Sequence, residues 1–103
     1  MKEEKLVILL TTSPESEDVH TVTKLAEAAL SLGKEVHVFL MCDGVHNAGH
    51  PAFVELCHKG IQVTLCSLNA SQRKASIPDS AASGSQYDLA ILAQECHRFL
   101  AFN

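Results

Sequence analysis

The sequence has few of the features that mark nucleic-acid-binding or membrane proteins. It contains no Trp and one Tyr, and its 8 Lys and Arg against 12 Asp and Glu give a formal net charge of −4. A nucleic-acid surface needs clustered positive charge, so we expect no direct nucleic-acid partner. The longest purely apolar run, residues 6–10, is far too short to span a bilayer. The 103 residues suffice for one domain, which we assign to residues 1–103.

Secretory and disulfide signals are missing as well. Residues 1–5 carry two acidic side chains where a signal peptide would be basic, so we expect a cytoplasmic protein. The four Cys contain no C-x-x-C spacing, and cytosolic proteins rarely use disulfides. Each Cys therefore needs its own explanation.

Strand-like and helix-like patterns alternate along the chain. Apolar or alternating runs predict strands over residues 5–11, 35–41, 61–66 and 97–102, and helical spacing predicts helices over 19–33, 51–60, 67–74 and 87–93. Small, turn-forming residues make 77–84 the least structured segment. This alternation indicates a three-layer α/β fold of the flavodoxin- or Rossmann-like kind. It has a mainly parallel sheet of four to five strands with helices on both faces, and 2-1-3-4 is the preferred strand order.

The candidate site follows from this topology. Ligands bind beyond the carboxyl ends of parallel strands, at the point where the strand order switches, here between the first and third strands. That edge holds Thr11, Thr12, Ser13, Cys42, Asp43, Gly44 and Cys66. The first three side chains are expected to bind an anion or to cap the first helix. The Asp-Gly pair is expected to form a turn that lines the site.

Cys66 is the strongest candidate for chemistry. It ends the third strand one residue before a helix that Ser67 or Asn69 is expected to cap. The free N–H groups of that helix point back at the sulfur and favour a thiolate, which is the nucleophilic form. Arg73 adds a weaker field from further along the helix. The alternative is a small buried hydrophobe, because free Cys is among the most buried residues.

The other Cys and His residues have weaker claims. Cys42 is a possible second thiol beside the site, or a filler at a strand end, whereas Cys57 and Cys96 are expected to pack in the core. Cys42, His46 and His50 form C-x3-H-x3-H, but structural zinc sites use more closely paired ligands. We predict no metal, and keep a metal-binding module as an alternative.

Four stretches of the chain, in order, carry a family resemblance. Residues 5–15 lead into a helix that ends in L-G-K-E-V, and residues 39–48 read F-L-M-C-D-G-V-H-N-A. Residues 60–73 follow the pattern G-(I/V)-x-(V/L)-x-(V/I)-C with small residues and an Arg after it, and residues 89–102 contain Arg98 and Phe102. Together these stretches resemble the DsrE/TusD (DsrE/DsrF-like) family of sulfur-relay proteins over nearly the whole chain.

The resemblance implies a cofactor-free sulfur carrier. The strand-end Cys of the family, here Cys66, accepts sulfane sulfur as a persulfide from a donor protein and passes it to an acceptor protein. Ser67, Asn69 and Arg73 would line the site. An enzyme of this kind would be a cofactor-free sulfurtransferase, and the assembly would be a homo- or hetero-oligomer, whether dimer, trimer or hexamer.

This chain also departs from the family pattern. Lys74 and Ala75 follow Arg73 where Gly is frequent, the 76–84 linker is short, and His97 replaces a common Asp. Some family members lack the Cys altogether. The alternative function is therefore a non-catalytic assembly or small-ligand-binding subunit of the same fold.

Overall fold

Five strands and four α-helices succeed one another in the computed structural model, which describes residues 4–103. The expected cytoplasmic location is based on residues 1–5, and of these, residues 1–3 lie outside the described residues. The strands are β1 Lys5–Leu10, β2 Glu35–Leu40, β3 Gln62–Cys66, β4 Ala82–Gly84 and β5 Arg98–Phe102. The helices are α1 Asp18–Ser31, α2 Pro51–His58, α3 Ser67–Gln72 and α4 Gln86–Glu95, with a 3₁₀ helix at Cys42–Gly49. No helix in the described part of the chain is long and apolar enough to cross a bilayer.

The strands form one parallel sheet in the order β4-β3-β2-β1-β5. The predicted α/β class with helices on both faces is confirmed, but the preferred order 2-1-3-4 is wrong. β1 lies between β2 and β5 and does not pair with β3. Successive crossovers build the sheet outward from β1 to β4, and the last connection then returns to place β5 on the other side of β1. The switch point therefore lies between β1 and β5.

The first face of the sheet carries the larger core. Alternate strand residues such as Leu10, Val38 and Leu65 are fully buried there. They pack against the apolar stripe of α1, represented by Val22, and against Phe53 of α2. Because the three crossover helices α1, α2 and α3 all contribute to this core, it is covered along most of the sheet.

The second face depends on α4. Its buried cluster consists of Val7, Phe39, Cys66 and Leu92, of which only Leu92 belongs to a helix. Leu92 is also the single buried residue of α4. This face is therefore covered by one short helix that contributes one buried side chain, Leu92, and the partly buried Leu89.

Two local predictions were wrong. Part of the 77–84 segment is a strand, because β4 pairs with β3 through Cys66 and Gly84 among other positions. Backbone pairing holds this strand, and its small residues carry no apolar pattern that the sequence could reveal. Neither Ser67 nor Asn69 caps α3, whose N-cap residue is Cys66 without a side-chain cap bond.

A close backbone approach makes Gly44 essential to the loop after β2. A Cβ atom at this position would overlap the carbonyl oxygen of Leu10, which itself accepts the Met41 N–H at 3.1 Å. We expect Gly44→Ala to lower the free energy of unfolding by about 1–3 kcal/mol, because neither backbone can move without breaking that bond. Urea denaturation measures the change.

The matched control is Gly49→Ala, five residues further along the same 3₁₀ helix. A Cβ atom at Gly49 meets nothing within 4 Å, so this variant should keep the wild-type midpoint or raise it slightly. Equal destabilisation of both variants would show that the contact with Leu10 is not the cause.

Candidate functional site

Cys66 is held at the junction of β3, β4 and α3. It is the last residue of β3, pairs with Gly84 of β4 and is the N-cap residue of α3. Its side chain faces the α4 side of the sheet, in the cluster with Val7, Phe39 and Leu92, and the residue is 2 % exposed. The sulfur is thus largely enclosed in the folded chain.

A cavity of about 390 Å³ lies next to Cys66 on one side of this enclosure. It is bounded on one side by Cys66 and the first turn of α3, and on the other by the start of α4. The lining residues are Cys66, Ser67, Leu68, Ser85, Gln86 and Tyr87. Leu68 and Tyr87, which are 61 % and 64 % exposed, stand at the surface of the cavity. The cavity therefore connects a buried sulfur to an apolar rim.

Helix N-termini supply the electrostatics of the cavity. α3 begins directly after Cys66, and the ten-residue α4 begins at the opposite wall. A capping box fixes that start, because the Ser85 N–H donates to Asp88 Oδ2 at 2.8 Å and the Asp88 N–H donates to Ser85 Oγ at 3.4 Å. Among residues 4–103, no charged side chain lines this cavity. The amino-terminal end of α3 therefore places partial positive charge beside the sulfur, whereas the Asp88 carboxylate offsets part of the charge at the start of α4.

Arg73 and Asn69 serve the neighbouring loop. Arg73 Nε donates to Asp43 Oδ1 at 2.8 Å, and this bond lowers the pKa of the Asp43 carboxyl group. Asn69 Oδ1 accepts the backbone N–H of Cys42 at 2.8 Å. Neither side chain lines the Cys66 cavity. Both instead tie α3 to the start of the 3₁₀ helix, and Asp43 neutralises the charge of Arg73.

Cys42 occupies an unusual backbone position. Its φ of 54° lies in the left-handed region, which a residue with a side chain adopts at a cost of roughly 1–2 kcal/mol. The bond from its N–H to Asn69 offsets part of this cost. The half-buried Cys42 is absent from the lining of the Cys66 cavity, so the structure does not bring the two thiols into one site.

The hydroxyl groups that follow β1 bond within the chain. Thr11 Oγ1 donates to the carboxyl-terminal end of β5, Thr12 Oγ1 donates to Asp18 at 2.8 Å, and Ser13 Oγ donates to Glu15 at 2.6 Å. Two of these acceptors are carboxylates, which repel an anion. The side chains expected to bind an anion here thus organise the β1–α1 loop, away from the Cys66 cavity.

Four lining residues were not among the predicted site residues, namely Leu68, the neighbour of the predicted Ser67, and Ser85, Gln86 and Tyr87 at the start of α4. The spacing of Ser85 and Asp88 is a capping-box pattern that indicates where a helix begins. It carries no information about which strand end that helix meets. Their position beside Cys66 depends on β4, the strand that the sequence did not indicate.

The remaining Cys and His residues form no second centre. Within residues 4–103, no three His, Cys, Asp or Glu side chains are grouped so that they could hold a metal ion. His50 Nδ1 instead accepts the Ala52 N–H at the start of α2. Burial raises the pKa of the Cys57 thiol, which keeps it protonated at neutral pH.

His37 lies under α4 in a second cavity, of about 300 Å³. Its Nε2 is 2.9 Å from Thr64 Oγ1, and Asp88 and Leu92 of α4 line the same space. Burial, with a smaller contribution from Lys5, lowers the pKa of His37, against the opposing effect of Glu35. The imidazole is therefore held in its neutral form beneath the helix that covers Cys66.

Comparison with protein families gives one match. The model of the DsrE/DsrF-like family matches residues 4–102, which is nearly the whole chain. No curated protein matches the sequence.

Solved structures extend the similarity to the whole fold. The crystal structure of the ychN protein from E. coli superposes with a TM-score of 0.82 at 20 % identity, covering 98 % of this chain and 100 % of that one. A protein of unknown function from Methanobacterium thermoautotrophicum gives a TM-score of 0.77 at 12 % identity, covering 97 % and 100 %. Another from Bacteroides thetaiotaomicron gives 0.75 at 15 %, covering 96 % and 95 %. At these identities the likeness establishes the fold.

The burial of His37 predicts a loss of stability in acid. Its folded-state pKa lies below the ordinary value of 6.5, so the unfolded chain binds a proton first as the pH falls. The free energy of unfolding should therefore decrease from pH 7 to pH 5, as measured by urea denaturation. His37→Gln, which keeps a partner for Thr64, should remove part of this decrease, whereas exposed His20→Gln should not. An unchanged pH dependence in His37→Gln would contradict this assignment.

The enclosure of Cys66 predicts a ranking of thiol reactivity. With a bulky maleimide and folded protein, peptide mapping by mass spectrometry should find Cys42 labelled well before Cys66. A small alkylating agent that enters the cavity should reduce the difference in labelling between Cys42 and Cys66. Unfolding in urea should abolish this difference. Equal labelling of both thiols by the bulky reagent in folded protein would show that Cys66 is freely exposed.

Proposed function

The chain belongs to the DsrE/DsrF-like family, which is linked to sulfur relay, and on that basis we propose that it carries sulfane sulfur as a persulfide on Cys66. The single observation that carries this proposal is the cavity of about 390 Å³ beside the Cys66 thiol, between two helix N-termini. Such an arrangement suits an anionic sulfur nucleophile.

The transfer needs no cofactor. The Cys66 thiolate attacks the outer sulfur of a donor persulfide, so that a bond from Cys66 Sγ to that sulfur forms while the donor S–S bond breaks. The donor leaves as a thiolate. An acceptor thiolate then attacks the outer sulfur on Cys66, which forms the acceptor persulfide and restores the Cys66 thiolate. One S–S bond breaks for each that forms, so neither step requires an oxidant or a reductant.

Charge and volume both support these steps. The Cys66 sulfur carries negative charge before the first step and again after the second, and the helix ends stabilise that charge. The cavity is also large compared with the roughly 30 Å³ occupied by a water molecule in the liquid. An additional sulfur atom therefore fits beside Cys66 without displacing the packed face that contains Phe39 and Leu92.

The partners in this proposal are a sulfur-donating and a sulfur-accepting protein. They reach the sulfur past Leu68 and Tyr87, whose exposed apolar surfaces form the rim of the cavity. Both transfers are assigned to Cys66 alone. A role for Cys42 as a second thiol would require the loop held by Asn69 to move, because Cys42 lies outside the cavity lining.

A second candidate, a non-catalytic assembly subunit, is favoured by one observation. Cys66 is only 2 % exposed, as expected for a structural Cys that fills space under α4. In that case Cys66→Ala would lower stability without removing any chemistry, and Cys66 would accept no sulfur in the folded protein.

Mass spectrometry after incubation with a persulfide donor separates the two candidates. We expect the wild-type chain to gain the mass of one sulfur atom and Cys66→Ser to gain none, because serine cannot form a persulfide. Cys57→Ser is the matched control, since the raised pKa of Cys57 makes it a poor nucleophile, and this variant should load like the wild type. Equal loading of the wild type and Cys66→Ser would refute the carrier proposal.

A further inference from the structure

The two cavities beside α4 share parts of their walls. Leu92, the single buried residue of α4, lines the His37 cavity and also packs in the cluster that contains Cys66. Gly84 lines the His37 cavity as well, and it pairs with Cys66 in the sheet. A movement of α4 away from the sheet therefore opens both cavities together.

The capping box of α4 is a second link between the cavities. Ser85 lines the Cys66 cavity, whereas Asp88, its partner in the capping box, lines the His37 cavity. Asp88 Oδ2 accepts the Ser85 N–H at 2.8 Å and the Ser85 hydroxyl at 3.1 Å. A change that draws Asp88 away from Ser85 therefore loosens the wall opposite Cys66.

His37 is an ionisable group that the proposed sulfur chemistry does not use. It is 9 % exposed, and its Nε2 is 2.9 Å from Oγ1 of Thr64, which is also 9 % exposed. Both side chains line the cavity beside α4. A protonated imidazole in this position would be removed from bulk water, which costs free energy unless a counter-charge compensates it.

The charged groups around His37 compensate such a charge poorly. Burial, and to a smaller extent Lys5 on β1, lowers the pKa of His37, and Glu35 on β2 opposes this effect only in part. The charged residue that α4 contributes to the cavity is Asp88, whose carboxylate is already bonded to Ser85. The residues that β3 and β4 contribute are uncharged, namely Thr64, Ala82, Ser83 and Gly84. The enclosed imidazole is therefore neutral at neutral pH.

Few side chains hold α4 on the sheet. Leu92 is buried and Leu89 is partly buried, whereas Tyr87 and Ile91 are 64 % and 38 % exposed. Segments with few buried apolar contacts open at a lower free-energy cost than the whole protein. α4 can therefore leave the sheet while the larger core, on the opposite face, stays folded.

We propose that His37 is a pH-sensitive switch that controls access to Cys66. In the closed form, which is the arrangement described above, α4 covers both residues. In the open form α4 has moved off this face of the sheet, and water reaches the imidazole and the thiol. Protonation of His37 favours the open form, because the imidazolium is hydrated only there.

Asp88 contributes to the same change. A carboxylate that turned towards a protonated His37 would leave Ser85 and would undo the capping box at the start of α4. The wall opposite Cys66 would therefore loosen in this case as well.

The consequence for sulfur transfer rests on the function proposed above, whereas the change in access to Cys66 does not. A persulfide on Cys66 would be held under α4 at neutral pH and would become accessible to an acceptor protein in mild acid. The switch would thus separate storage of the sulfur from its transfer.

Linkage sets an upper limit to the effect. His37 has the ordinary pKa of 6.5 in the open form and a lower pKa in the closed form, so the closed form loses stability as the pH falls below 6.5. If His37 stays neutral in the closed form, the ratio of open to closed molecules rises at most about tenfold between pH 7.5 and pH 5.5.

Thiol labelling of the full chain with dipyridyl disulfide, which reacts with thiols in mild acid, measures the opening. The labelling rate of Cys66 in folded protein is divided by its rate in urea at the same pH, which removes the pH dependence of the reagent. This ratio should rise severalfold from pH 7.5 to pH 5.5 in the wild type. It should stay constant in His37→Gln, which keeps a hydrogen-bonding partner for Thr64.

The matched control is His58→Gln on α2, where the His58 side chain is 68 % exposed. This variant should respond to pH as the wild type does. A wild-type ratio that is the same at both pH values would overturn the proposal, as would a folded His37→Gln protein whose ratio rises like that of the wild type.

A titration of the wild type covers the case in which His37→Gln does not fold. The rise in the Cys66 labelling ratio should begin near pH 6.5 and level off at the pH where the His37 ring signal titrates in NMR spectra of the folded protein. A rise that levels off at a different pH would assign the switch to another group.

Hydrogen exchange separates local opening from unfolding of the whole chain. At pH 5.5 the amides of α4 should be protected at least tenfold less than those of α1, which packs on the opposite face of the sheet. Equal protection of the two helices would show that Cys66 is exposed only by global unfolding and would contradict the switch. Neither measurement uses a sulfur donor, so its outcome is independent of whether Cys66 accepts sulfur.

Discussion

Coverage of the second face of the sheet is the constraint on which the rest of this structure depends. The central strands are apolar on both sides, with Val7 and Phe39 facing away from the main core. Because the crossover helices α1, α2 and α3 contribute to the first core, α4 alone covers the second. A ten-residue helix is too short to close that face completely, so cavities remain beside it, at Cys66 and at His37. The proposed chemistry of Cys66 depends on this incomplete cover.

The same helix links burial to electrostatics. The capping box of Ser85 and Asp88 fixes where α4 begins, and that point is the wall opposite Cys66. A thiol with little exposure therefore lies between the amino-terminal ends of two helices, and no carboxylate among the described residues lines its cavity. α4 is also held by few buried side chains, and segments of this kind open at low free-energy cost. The Cys66 sulfur is thus enclosed while α4 is in place and accessible when α4 opens.

Reasoning from sequence identified most elements and one important residue of the site. Apolar runs and helical spacing predicted β1, β2, β3 and β5 and the four helices, because these patterns report burial on one or both sides. The same reasoning placed Thr12 and Cys66 at one switch point, and the strand order separates them. It missed β4 because Ala82–Gly84 is held by backbone pairing, and it missed Tyr87 because that residue reaches the site only through β4. The bonds of Asn69 and Arg73 to the Cys42–Asp43 loop also lay beyond any local pattern.

The sequence by itself determined the class of fold, the family pattern and the placement of Cys66 between a strand and a helix. These properties depend on periodicity and on neighbours along the chain. Only the tertiary structure decided the order of the strands, the face on which Cys66 lies and the helix that closes over it. An apolar pattern shows that a side chain is buried, but the partner that buries it is chosen by packing between segments far apart in sequence.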